Sequence, residues 1–581
     1  MNRRHAARSL SLLLVGGAAL AFAGCGGGGG GGGSTAPAES APPPASDPST
    51  WPSLSAAREV KQGKFVTSTA CWNCHSTDSA MQDAAGRDIS PYRLWQGTLM
   101  ANAARDPLWR AQISVERAAT PALAGAIESK CLHCHAPMGV DDAVANGEVL
   151  RMRDLENDSD RGQLALDGVS CSHCHQADPP QDVTSTFNGN YALNDRREIY
   201  GPHAAPDAFP MSFTLGYLPT EAAHMTNSNQ CASCHTLYTD AVDADGQPTG
   251  GQLPEQTPFL EWQNSVFNDQ VANPSSDAAS CQACHVPTTD EDGNVITSRI
   301  VRASQGTQPR SPYGRHVFVG GNTLVPQILK NERDALKAPA PDEAFDEVAT
   351  RARDQLRRAT AEVAIGHVAR SGNVLTVPVT VRNLTGHKFP TGHPLRRAWL
   401  RTIVRDAQGA VVFSSGDFDR AGRIVGSDGT PLPSERRGGP IQPHRAVIDA
   451  PGQVQIYQSL LADAQGELTW LLLRGESYLK DNRLLPRGWD PAHPAARDTA
   501  PQGVGGDSDF VGGQDEVVYR VPVSGSGPFQ VEVSLYYQVA NARYLEELYA
   551  YRTPEVDAFR TYAAQVDRRP ELVARAVATS N

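Results

Sequence analysis

Five times the chain writes Cys-x-x-Cys-His: CWNCH (Cys71 to His75), CLHCH (Cys131 to His135), CSHCH (Cys171 to His175), CASCH (Cys231 to His235) and CQACH (Cys281 to His285). Two thiols three residues apart lie on one face of a helical turn, and an imidazole follows at once. This is the spacing at which both vinyl groups of one porphyrin can take up sulfur while the iron takes up the ring nitrogen. The chemistry implied is covalent attachment of five haem c groups. The thioether donors would be Cys71, Cys74, Cys131, Cys134, Cys171, Cys174, Cys231, Cys234, Cys281 and Cys284, and the proximal iron ligands His75, His135, His175, His235 and His285. A zinc ribbon pairs its Cys-x-x-Cys units into tetrahedral sites, which an odd number of units, each followed by His, does not do. Of the 11 cysteines ten lie in the motifs, so only Cys25 remains and no thiol is left for a structural disulfide.

An iron held by protein on both faces carries electrons, whereas one with an open face can bind substrate. Distal ligands must come from outside the fifth motif position. Beyond the leader the available histidines are His133, His173, His203, His224, His316, His367, His387, His393, His444 and His493. His133 and His173 sit inside the motifs, too constrained to reach round their own iron, and read as packing residues. His367, His444 and His493 read as surface residues. His224 precedes Cys231 by seven residues, and His316 lies in RHVFVGGN. His387 and His393 share a Gly/Pro-rich loop, TGHKFPTGHP (Thr385 to Pro394), expected to send at least one imidazole toward the haems. For His393, and for His387 as well, a solvated loop position is the alternative.

The flanking sequence sets the elements that must position these groups. Arg3, Arg4 and Arg8 precede an apolar run, Leu10 to Phe22, ending in Ala23, Gly24 and Cys25. That is an export leader, and Ala-Gly-Cys makes Cys25 a candidate for lipidation, over residues 1–25. Eight glycines and a Ser/Ala/Pro-rich stretch make residues 26–54 a flexible tether. Residues 55–335 hold all five motifs at irregular spacing among many Pro, Gly and Asn, which predicts an irregular, mainly α, haem-packed domain. Helices are expected from Pro91 to about Ala104 and from Pro107 to about Arg117. A charged helix, Asp342 to Ile365, dominates a connector over 336–368. Strand-length alternation at 373–382, 398–405, 410–414, 516–523 and 529–539, with a hairpin turn at 406–409, predicts an immunoglobulin-like β-sandwich over 369–540. Residues 541–581 read as a helical C-terminal tail. The net charge of −12 argues against nucleic acid or an anionic membrane surface as partner and for redox proteins with basic patches, other cytochromes among them.

PYRLWQGTLMANAARDPLW (Pro91 to Trp109), SNQCASCHTLYT (Ser228 to Thr239), FLEWQ ahead of CQACHVP, RHVFVGGN and TGHKFPTGHP together resemble exported multihaem c-type cytochromes. That group is related to the tetrahaem cytochrome of ammonia oxidisers and, more remotely, to hydroxylamine oxidoreductase. The resemblance spans about residues 65–420. It implies a thioether ligand at Met100, distal ligands at His224, His316 and His387, and less clearly one at His203. With every iron closed, the protein would carry electrons through five haems between a membrane or periplasmic donor and a periplasmic or extracellular acceptor. It would be lipid-anchored in the bacterial cell envelope, at the outer membrane, or soluble in the periplasm. The alternative is a multihaem oxidoreductase acting on a small nitrogen or sulfur oxyanion at one five-coordinate haem. The chain matches neither the crosslinking tyrosine of hydroxylamine oxidoreductase nor the lysine-ligated motif of nitrite reductases.

Overall fold

Short helices carry the motifs. Cys71 to His75 closes the helix Ser68–His75, Cys131 to His135 closes Ala124–His135, and the other three lie on single turns at Cys171–Cys174, Asn229–Ala232 and Cys281–His285. The computed structural model describes residues 46–303 and 306–580; the leader, Cys25 and the first part of the tether lie outside them. Between the motif helices run turns, a hairpin of Leu237–Val242 with Pro248–Gln256, and a parallel pair, Glu198–Gly201 with Leu218–Glu221.

The helix Pro107–Ala119 starts where expected, with Pro107 in its first turn and the Asp106 carboxylate accepting from the backbone N–H groups of Leu108 and Trp109. The helix expected from Pro91 to Ala104 stops at Trp95. Two contacts end it. The Asn102 amide donates to the carbonyls of Gln96 and Thr98, taking acceptors a helix would use. Gly97 abuts the backbone of Ala344, where a Cβ would come within 2.7 Å of a carbonyl oxygen.

After the helix Asp342–Ala359 the chain enters two sheets. One is ordered Leu468–Thr469, Ile456–Ala462, Arg397–Arg405, Phe529–Gln538, Glu571–Ser580, with Val411–Ser415 also on Arg397–Arg405. The other is ordered Val447–Ile448, Gln514–Pro522, Val374–Asn383, Ala361–Ile365. The five expected strands are present to within a residue or two. Ala361–Ile365, read as the end of the charged helix, is instead a strand, because AEVAI pairs in register with Val379 to Asn383.

The C-terminal tail is a second correction. Helices Ala542–Leu548 and Pro554–Ala563 are followed by a ten-residue strand, Glu571–Ser580, antiparallel to Phe529–Gln538. Pro570 prevents helix continuation, and Val573, Val577 and Thr579 on alternate positions favour a strand.

One apolar core joins the motif-bearing half to the sheets. Leu108 and Val115 pack with Val325 and Ile328 of the helix Leu324–Asn331, with Phe345 and Leu356, and with Val377, Val379, Leu400, Val531 and Leu535 from the two sheets. The sheets are therefore part of the wall of the motif region. Truncation after Pro570 removes a full ladder of hydrogen bonds and the buried Val573, and is expected to lower unfolding stability by about 3 kcal/mol or more in urea titration.

Candidate metal centres

The five motifs, 40 to 60 residues apart in sequence, converge on one another in space. The Cys71 side chain lies beside that of Cys171, Cys134 beside Cys234, and Cys231 beside Cys281, while Cys174 lies within electrostatic reach of Cys234. The first, third, fourth and fifth motifs thus form a line, and the second joins it at the fourth. None of the ten forms a disulfide. Short backbone ties fix the approach: the Gln230 amide donates to the Cys174 carbonyl at 2.9 Å, and the Cys281 N–H to the Ser228 hydroxyl at 3.0 Å.

Four of the five motif histidines have their Nδ1 fixed. It meets the carbonyl of Ile300 (His75, 2.9 Å), Ala103 (His135, 3.0 Å), Tyr200 (His175, 2.6 Å) or Val319 (His285, 2.7 Å). A carbonyl can only accept, so Nδ1 carries the proton and Nε2 presents a lone pair, the tautomer a metal needs. Desolvation keeps the rings neutral. It holds His75, His175 and His285 below the ordinary value and takes His135 to about 4.

Two further histidines repeat the pattern and face motif histidines. His316 has Nδ1 on the Gly314 carbonyl and lies 6.2 Å, centroid to centroid, from His175 with 20° between the planes. His387 has Nδ1 on the Lys388 carbonyl and lies 6.5 Å from His285, at 16°. Two metal–imidazole bonds of roughly 2 Å, plus the ring radii, span about 6 Å, so each pair fits one iron between its rings.

The other candidates lie differently. His224 donates Nε2–H to the Ala177 carbonyl at 2.9 Å and meets Tyr200 edge-on. His203 is half-buried beside Arg310, held low by desolvation and then by that charge. Met100 is half-buried, its carbonyl accepting from Val169, two residues before Cys171. His393 stands within electrostatic reach of His135 with its ring edge-on to Tyr544, and desolvation pushes it to about 3. Its Nδ1 accepts from the Leu395 N–H at 3.2 Å, which puts the proton on Nε2. His135 itself is stacked on Trp109, 4.3 Å apart and 6° from parallel.

His173 is buried against Tyr191, as a packing residue would be, and His367 is exposed. His444, expected at the surface, is 3% exposed and hydrogen-bonded to Asp507 at 3.1 Å, with Asp515 close by. Gln455 and Asn482 have their amide oxygens bound by backbone N–H groups, so both turn NH2 toward His444 Nδ1. Nε2 then carries the proton and donates to Asp507. With the lone pair of the imidazole taken up by two amide donors, this cluster forms a hydrogen-bond network around His444.

A buried ionic cluster sets the loop that carries His387. Glu261, on the helix Pro258–Gln263 that precedes the fifth motif, accepts from the Lys388 N–H at 2.9 Å and from the Thr391 hydroxyl. The Lys388 ammonium binds Asp481 at 2.6 Å, and Arg483 binds Asp481 twice at 2.7 Å and Glu261 at 3.4 Å. Asn383 braces the same loop, its amide donating to the His387 carbonyl at 2.8 Å. Gly386 packs on Trp262 and Phe267, where a Cβ would lie at 3.3 Å. Burial opposes the Asp481 charge, but Arg483 and Lys388 outweigh it and hold the carboxyl well below its usual range.

Arg302, Arg315 and Arg396 each bury an Nε–H without a partner among the described residues. Arg302 lies over Trp72 beside the first motif, and Arg396 is within electrostatic reach of His235, His387 and His393. Unpaired buried guanidinium donors suit the propionates that a haem brings, so the residues present fit the group. Sequence reasoning missed Trp109, Glu261 and Lys388 in these roles. Glu261 and Lys388 do stand in the quoted motifs FLEWQ and TGHKFPTGHP, where an acid and a base amid apolar residues signal burial.

No family model matches the chain, and no curated protein does. Among solved structures it is similar to a penta-haem cytochrome c552 from Thermochromatium tepidum, with 17% identity and a TM-score of 0.49, covering 90% of this chain and 100% of that one.

Asp481→Asn leaves Lys388 and Arg483 buried without their anion and is expected to cost about 3–5 kcal/mol at neutral pH by urea unfolding. A carboxyl depressed in the folded state stabilises above its unfolded value and loses that stabilisation as pH falls. The gap between wild type and variant should therefore narrow below about pH 4.

Proposed function

We propose that the protein is a multihaem c-type cytochrome that carries electrons through five covalently bound haems. The donor would be a membrane or periplasmic protein, and the acceptor periplasmic or extracellular. The observation that carries this reading is the pair of facing imidazoles, His175 with His316 and His285 with His387, each with Nδ1 on a carbonyl and Nε2 free. Irons closed on both faces by imidazole suit electron transfer and not substrate binding. The bound haem would supply the one-electron chemistry.

The residues of the chain bind, orient and shield. The ten motif cysteines hold the porphyrins, and His75, His135, His175, His235 and His285 are the proximal ligands. His316 and His387 are distal ligands for the third and fifth sites. Met100, His203, His224 and His393 are the candidates for the other three, and a thioether from Met100 would raise the potential of the site it closes. Arg302, Arg315 and Arg396 would pair with propionates. The two-sheet unit, which we read as an immunoglobulin-like sandwich, delivers the His387 loop and offers a docking face. Export with a lipid anchor at Cys25 would tether the molecule to the cell envelope, where other cytochromes are its natural partners; a soluble periplasmic form is the alternative. No described helix is long and apolar enough to cross a membrane.

A second reading, an oxidoreductase acting on a small nitrogen or sulfur oxyanion, is favoured by the second motif. There His135 is stacked on Trp109, and His393 carries its proton on the nitrogen that would have to bind iron.

Electron paramagnetic resonance of the oxidised, haem-loaded protein tests both. His316→Ala and His387→Ala are each expected to convert one low-spin haem to high-spin, and His224→Ala to give a smaller change or none. Wild type with only low-spin signals and no response to cyanide supports the carrier. A high-spin haem that binds nitrite and is unaltered in both alanine variants supports the enzyme.

A further inference from the structure

The Cys131–His135 site has two buried carboxyl groups close by. Glu116, 2% exposed on the helix Pro107–Ala119, and Glu255, 4% exposed on the strand Pro248–Gln256, both lie within electrostatic reach of the Cys131 thiol. Leu473, whose N–H donates to Glu116, packs on the same apolar cluster as Cys131.

Among the described residues neither carboxyl has a cation in hydrogen-bond contact. Glu116 accepts from the Leu472 N–H at 2.6 Å, from the Leu473 N–H at 3.4 Å and from the Gln112 amide at 2.7 Å. Glu255 accepts from the Thr239 hydroxyl at 2.6 Å and from Gln256 at 3.3 Å.

The charged groups around them are engaged elsewhere. Arg117 pairs with Glu128, Arg110 with Glu156, the Lys130 ammonium with the Tyr238 carbonyl, and Arg474 with the carbonyls of Ala119 and Ala244 and the Thr120 hydroxyl. Tyr544 and Tyr551 face Glu116 from the C-terminal helices and turn, and remain neutral in the ordinary pH range. A buried carboxylate without a counter-ion is costly, and desolvation accordingly raises Glu116 to about 7.

A line of hydrogen bonds leads from Glu116 toward the metal site. The Gln112 amide donates to Glu116, the Gln112 carbonyl oxygen accepts from the Tyr544 hydroxyl, and the Tyr544 ring stands edge-on to His393, 6.2 Å away. His393 in turn lies within reach of His135.

Resting on the haem reading above, we propose that Glu116 takes up a proton when an electron arrives at the haem held by Cys131 and Cys134, which makes this the proton-coupled site of the chain. An electron from a reduced donor protein would be taken up by the bound haem iron, Fe(III) going to Fe(II), while one proton from solvent adds to a Glu116 oxygen. No bond to the haem forms or breaks, and oxidation by the acceptor returns both particles. The added negative charge acts across a low-dielectric interior with no mobile cation to screen it, so the site is more easily reduced when Glu116 can be neutralised.

The test is a spectroelectrochemical titration of the full-length, haem-loaded protein between about pH 6 and pH 9. One midpoint potential is expected to fall as pH rises above about 7, approaching 59 mV per pH unit, the one-electron equivalent of a tenfold change, while the others stay nearly flat. Glu116→Gln should abolish the slope with the haem count unchanged by mass, and Glu255→Gln should leave the slope in place. A slope that survives Glu116→Gln, or one shared equally by all haems, overturns the proposal. A wild-type mass without five haems overturns the haem reading instead. If Glu116→Gln fails to load, the reduced-minus-oxidised infrared difference spectrum of wild type decides. A new protonated-carboxyl band supports the proposal, and its absence overturns it.

Discussion

The loop that brings His387 from the sheets to the fifth motif is held by one carboxylate, Glu261. It is fully buried on a helix of the motif region, yet its oxygens hold the backbone of Lys388, the hydroxyl of Thr391 and the guanidinium of Arg483, all from the sheet region. A buried charge survives only where paired and hydrogen-bonded, so the Glu261, Lys388, Asp481 and Arg483 groups must all be in register for any of them to be tolerated. That demand fixes the loop, and the loop fixes His387 opposite His285. Apolar packing alone would bury the same surfaces without choosing a register, because it is non-directional.

The second organising principle is the peptide carbonyl as a proton acceptor for imidazole. Seven described rings, those of His75, His133, His135, His175, His285, His316 and His387, have Nδ1 on a carbonyl, which leaves the lone pair on Nε2. Three other imidazoles are held the opposite way. His224, His393 and His444 bury imidazoles equally well but carry the proton on Nε2, which suits a hydrogen-bonding role.

This explains which parts of the molecule the sequence could reveal. The motifs are local, two thiols and an imidazole within five residues, and so are the strands at 374–383 and 529–538, whose alternation expresses a pleat with one buried face. The loop TGHKFPTGHP was legible as a place where histidines leave the sheets. Which of its histidines faces a motif histidine was not, because that depends on Glu261 and Asp481, more than 90 residues away on either side. The early end of the helix at Trp95 was equally hidden, since it is set by Gly97 against Ala344, a contact between segments 247 residues apart. The C-terminal strand was misread because its alternate alanines suit a helix as well as a strand, although Pro570 and the alternating Val573, Val577 and Thr579 favour the strand that pairs with Phe529–Gln538.

The spatial order of the motifs also departs from their order in the chain. Contacts run from the first to the third, fourth and fifth, and the second enters at the fourth. On the reading proposed, the fourth site is a junction through which charge from two arms must pass, and the second is a spur rather than a link. A spur can differ from its neighbours without interrupting the main line. The departures gather there: tryptophan against the motif histidine, His393 with the opposite tautomer, and two carboxyl groups left without cations. A chain serving only to conduct gains nothing from unpaired buried acids, whose desolvation lowers stability. Their retention beside the one site off the main line is what a separate, proton-linked task at that site would require.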